Sequence, residues 1–97
     1  MEDLASNMSH SAHVAEILKA VAHPLRIRIV ALLCQKEEHV NGLADKLGVN
    51  QAIVSQQLQI LRMRRLVGAT RVGGFAHYRI LEPQLRNLMK CMENCSA

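Results

Sequence analysis

The stretch from Val40 to Leu66 leaves this chain the fewest options, because two helical patterns meet there across one tight turn. Leu43, Ala44 and Leu47 recur at the spacing that lines one face of a helix. Gly48 follows the last apolar position, where a left-handed residue closes a helix at little cost. Asn50 stands where an N-cap is needed before a new helical repeat. In that second helix Val54, Leu58 and Leu61 form the stripe to be buried. The face opposite holds Gln51, Ser55, Gln59 and Arg62, with one charge and no large apolar group. Short amides and hydroxyls on such a face suit base edges in a major groove. The plainer alternative is a solvated face in a helical hairpin.

The flanking segments supply the rest of a small domain. Residues 1–12 lack a strong period and are expected to form a flexible arm, leaving one domain over 13–97. Val14, Ile17, Leu18 and Val21 predict a short first helix from His13, broken at Ala22-His23-Pro24. Pro24 suits the first position of a second helix, and His23 suits its cap. That helix, with Leu25, Ile27, Ile29, Val30, Leu32 and Leu33, has few polar sides and should run through the core. Lys36 to His39 reads as a loop. Beyond Leu66, residues 67–72 and 75–80 lean towards strands, and Gly73-Gly74 between them is a hairpin signal. A ribbon directly after a recognition helix is a wing, with Arg71 and His77 near phosphates. Pro83 opens a last helix striped by Leu85, Leu88, Met89 and Met92. The expected fold is mainly α with a small β-hairpin (α+β), a winged helix-turn-helix in the order ααααββα. The first and last helices carry more apolar surface than so small a core absorbs, which predicts a homodimer paired through them.

Charge is uneven along the chain. Residues 62–90 hold seven basic side chains (Arg62, Arg64, Arg65, Arg71, Arg79, Arg86, Lys90) against one acid, Glu82. The preceding residues are close to neutral, so the positive field begins where the second helix of the pair ends. Such a field points to a polyanion. Phe75 and Tyr78 are the only Phe, Trp or Tyr residues, too few for stacking platforms that bind single strands. Double-stranded DNA is therefore the expected partner. No apolar run approaches the ~20 residues of a membrane span, and Met1 to Ser11 has no signal-peptide pattern. A cytoplasmic protein without a membrane partner is expected.

Taken together, Ala22 to Val30, Leu43 to Val49, Val54 to Arg62, Leu66-Val67 and Gly73 to Tyr78 resemble the ArsR/SmtB family of bacterial winged-helix repressors. The likeness spans roughly residues 13–95. It implies a homodimer that occupies an operator, expected to be palindromic double-stranded DNA, and leaves it when an inducer binds. Carried over by position, the base-contacting set is Asn50, Gln51, Ala52, Ser55 and Gln56, and the wing runs from Arg71 through Gly73 and Gly74 to His77. Gln56-Gln57 departs from the family, many of whose members have a histidine in that pair.

The inducer is less constrained. Inducers in the family are metal ions, arsenite or antimonite, or reactive sulfur and oxidants. The cysteine motif of several arsenic and cadmium sensors is absent from His39-Val40-Asn41. The zinc positions on the last helix are met by Glu82, Gln84 and Cys95, which lack the strong nitrogen ligands such a site uses. What remains is Cys34 at the end of the second helix and Cys91 and Cys95 at i, i+4 on the last. Three chemistries stay open: a thiol pair oxidised or bridged by sulfane sulfur, a trivalent ion such as arsenite held by the three thiolates, or passive small hydrophobes. The first is favoured, because one cysteine lies on the second helix and another on the last. No cofactor is required. Without a Cys-x-x-Cys, a nucleophile elbow or an acid–base pair, the chain is not expected to be an enzyme. Besides an operator-binding repressor, a winged-helix protein-interaction module without an operator fits the pattern.

Overall fold

The computed structural model describes residues 3–95. Helices α1 (Met8–Val21) and α2 (Pro24–Gln35) lead through a two-residue strand β1 (Glu38–His39) into α3 (Val40–Leu47) and α4 (Gln51–Met63). Strands β2 (Val67–Val72) and β3 (Phe75–Ile80) follow, and α5 (Pro83–Glu93) ends the order. The expected winged helix-turn-helix is present, with one strand more than expected.

Caps explain most boundaries. Asn7 accepts from the His10 backbone N–H at 2.9 Å, so α1 starts at Met8, five residues before the apolar repeat suggested. Of the arm expected over residues 1–12, residues 1 and 2 lie outside the described residues, and Met8 onward is helical. His23 Nδ1 accepts from Leu25 N–H at 3.2 Å and Pro24 opens α2 as expected. Gly48 closes α3 at φ 67°, a left-handed conformation that glycine adopts without a Cβ penalty.

The core gathers around α2, which packs against α1, α3, α4, α5 and β3. Ile29, Val30, Leu33, Leu43, Val54, Leu58, Leu61, Val67 and Leu85 are essentially without solvent contact. Ile27 of α2, expected in the core, is 42% exposed, and two expected stripe positions of the terminal helices also fall outside it: Leu18 is 46% exposed and Met92 52%. Both lie on the surfaces of the first and last helices that the sequence reserved for a second copy.

The sheet is antiparallel in the order β1-β3-β2. Glu38 and His39, expected in a loop, pair with Tyr78 and His77. Two residues offer no period to read, and their partners lie about forty positions away, so only the folded chain creates the strand. The hairpin between β2 and β3 turns on Gly73 at φ 58° and Gly74 at φ 85°, the two positive values a tight two-residue turn demands.

Candidate nucleic-acid interface

Helix α4 is built to present one side. Val54, Leu58 and Leu61 are fully buried against the core. Gln51, Ala52, Ser55, Gln56, Gln59 and Arg62 are exposed. Asn50 caps the helix, its Oδ1 accepting from Ala52 N–H at 2.7 Å. That bond fixes the Asn50 side chain at the start of the exposed ridge. The expected face needs one correction. Ile53 is 44% and Met63 74% exposed on the same helix, so the outward surface mixes amides with large apolar groups. Sequence spacing placed Gln51, Ser55, Gln59 and Arg62 outward and assigned Ile53 to neither face.

The wing stands beside this helix. After α4 the chain reverses through Arg65 in a left-handed conformation, φ 61°, and Leu66 N–H returns to the Leu61 carbonyl at 3.1 Å. Gly68 follows on β2, where an added Cβ would come within 3.0 Å of the Leu81 side chain. At the tip, Arg71 donates from Nη1 to the Gly74 carbonyl at 2.8 Å, which holds a cation at the hairpin end. Arg79 donates to the Thr70 hydroxyl across the strands. His77 is half-buried and its ring meets His39 edge-on, with centroids 5.6 Å apart. The ring is thus held against β1, and Arg71 is the more exposed of the two wing residues.

The basic run of residues 62–90 does not form one uniform field. Arg64 pairs with Glu16 of α1 at 2.9 Å, and Arg86 donates to the Cys34 carbonyl at the end of α2, also at 2.9 Å. Arg62 and Arg71 take part in no salt bridge among the described residues. Of the seven, only Arg64 has its charge paired among the described residues, so Arg62 on α4 and Arg71 at the wing tip belong to a wider positive surface.

The three candidate sensor thiols differ in their surroundings. All three are free. Cys34 is half-buried where α2 meets α5, and burial pushes its thiol up despite the nearby Arg86 guanidinium, with Glu93 adding to the rise. Cys91 is exposed on α5. Cys95 is not on the helix: α5 ends at Glu93, Asn94 caps it, and Cys95 lies beyond, its N–H donating to the Met92 carbonyl at 3.1 Å. Asn94 keeps right-handed dihedrals, φ −85° and ψ −4°, so Cys95 follows Cys91 across one tight turn past the helix end. Glu82, one of the zinc positions, caps α5 and faces His13 of α1 at 3.2 Å. Among the described residues no group of three or more His, Cys, Asp or Glu side chains is arranged to hold a metal.

Known proteins match this geometry. The family model described as bacterial regulatory protein, arsR family, matches residues 23–68, the span from the α2 cap through the helix-turn-helix. A transcriptional repressor SmtB homologue from Synechocystis sp. is 34% identical over 84 residues, 87% of this chain. This chain spans 64% of that protein's length. The crystal structure of the transcriptional repressor BigR from Xylella fastidiosa superposes with a TM-score of 0.83 at 30% identity, covering 92% of this chain and 93% of that one. A homodimeric winged helix-turn-helix DNA-binding domain from Mycobacterium bovis gives 0.76 at 31% identity, covering 96% and 84%.

Proposed function

The chain belongs to the arsR family of bacterial regulatory proteins, a non-enzymatic family, and from that membership we propose that it is an operator-binding transcriptional repressor. Two copies pair through α1 and α5 and carry their α4 helices into major grooves of a palindromic duplex. One observation carries this most: the exposed ridge of Gln51, Ala52, Ser55, Gln56 and Gln59 on a helix whose other side is fully buried. Amides and hydroxyls read base edges, and exposed Ala52 and Ile53 suit thymine methyls. Arg71 at the wing tip takes a phosphate and supplies affinity without sequence choice. The M. bovis relative supports the dimer. The setting is cytoplasmic, where the duplex is.

Release is assigned to the cysteines. Cys34 and Cys91 lie on α2 and α5, two helices that pack together, which favours reactive sulfur or an oxidant as inducer. Each bridging event removes two thiol protons and passes two electrons to the oxidant or sulfane sulfur. Shifting α5 then alters the separation of the two α4 helices. Arsenite held by the three thiolates is the alternative.

The test is a titration with a duplex that the wild-type chain itself selects from a randomised library. Gln51→Ala with Ser55→Ala should cost about 1–3 kcal/mol on that duplex and relax sequence preference. Arg71→Gln should weaken all duplexes alike and lower the salt slope by about 1. Selection of no duplex by wild type, or indifference to these changes, would leave the protein-interaction module instead.

A further inference from the structure

We infer that Glu38 is a positioning residue for duplex binding, its buried carboxylate tying the wing to the first helix of the helix-turn-helix. The inference rests on the operator role proposed above. Glu38 is the one buried charged residue among those described, with 9% of its surface exposed. Its Oε2 accepts from Lys46 Nζ of α3 at 3.1 Å, and its Oε1 from the His39 backbone N–H at 3.0 Å. The carboxylate therefore lies over the first turn of α3, where helix N–H groups favour negative charge.

The backbone is shaped around that carboxylate. A Cβ added to Gly42 would lie 2.3 Å from both Cδ and Oε1 of Glu38. Gly42 has no left-handed φ that would call for glycine, so the space for the carboxylate is what the residue provides. A glycine inside a helix is a local loss of helix propensity, here coinciding with room for a charge.

The same two residues hold the wing. Glu38 and His39 pair with Tyr78 and His77 of β3. His39 caps α3, its Nδ1 accepting from Gly42 N–H at 3.0 Å, while its ring lies against Phe75 and His77 of the wing. One end of β1 thus grips α3 and its other side grips β3. The angle between wing and α3–α4 unit decides whether Arg71 reaches a phosphate while α4 sits in the groove, so the tie governs binding without touching DNA.

Gly42→Ala and Glu38→Ala test this against a merely structural role. The carboxylate is the end of a flexible side chain, so Gly42→Ala can fold by expelling it, and alanine should favour the helix. Both variants are titrated by fluorescence anisotropy against the duplex selected by wild type, with and without Arg71→Gln, alongside urea denaturation. Each variant is expected to bind about fivefold or more weakly. That loss should vanish when Arg71 is already Gln, and Gly42→Ala should cost nothing further in the Glu38→Ala chain. Unchanged affinity in both variants, or losses that simply add to that of Arg71→Gln, overturn the positioning role. A wild-type chain that selects no duplex overturns the operator role and this one with it.

Discussion

At the scale of single residues, exposure and local charge decide what each side chain can do. Gln51, Ser55, Gln59 and Arg62 were legible because one helical stripe, Val54-Leu58-Leu61, announces its opposite face. Ile53 was not, since its exposure depends on how far the core reaches around the helix. The cysteines show the same division. Helical spacing carries one face from Cys91 to Cys95, while the helix itself ends at Glu93 and leaves Cys95 just past its cap. Half-burial raises the Cys34 thiol above its ordinary value, while Cys91 and Cys95 stand in solvent. Under brief iodoacetamide treatment at neutral pH, Cys91 and Cys95 should be alkylated well before Cys34. Mass mapping in which Cys34 reacted first would contradict this order.

At the scale of elements, the caps and the buried stripes carry the fold. Leu58 of α4 is fully buried, and truncation to alanine should cost about 2–5 kcal/mol of stability. Urea denaturation reads that loss directly, and a cost near zero would mean that α4 is not seated as described. The contact between β1 and α3 adds a pH dependence. Burial pushes the Glu38 carboxyl up, but the Lys46 hydrogen bond, the His39 backbone N–H and the neighbouring positive charge together hold it below its ordinary 4.5. A carboxyl lowered in the folded state contributes stability that is whole above 4.5 and is lost as pH falls through the lower folded value. The stability gap between wild type and Glu38→Gln should therefore be largest near neutrality and narrow below about pH 4.5. Denaturation midpoints that stayed parallel down through that range would contradict the shift.

At the scale of the whole molecule, the first and last helices are left incomplete. Leu18 and Leu88 line a groove between α1 and α5, and Leu4, Met8 and Met92 are also exposed there or nearby. Apolar surface of this kind on both terminal helices is what a second copy would cover. Leu18→Glu should place a charge in that joint and shift the chain towards monomer in multi-angle light scattering. Operator affinity should fall with it, since one recognition helix then binds alone. A variant that stayed dimeric would move the joint elsewhere.

The sequence by itself determined that the five helices exist, the caps at His23 and Asn50, the turn at Gly48, the hairpin at Gly73-Gly74 and the polar ridge of α4, because each depends on neighbours within one or two turns. Only the tertiary structure decided that Glu38-His39 is a strand, that Gly42 makes room for a carboxylate, and that Arg64 pairs with Glu16. Those outcomes join residues that the chain separates by up to tens of positions or by a turn of unreadable period. Local patterning says which face is buried; which groups meet there is settled by packing of the elements against one another.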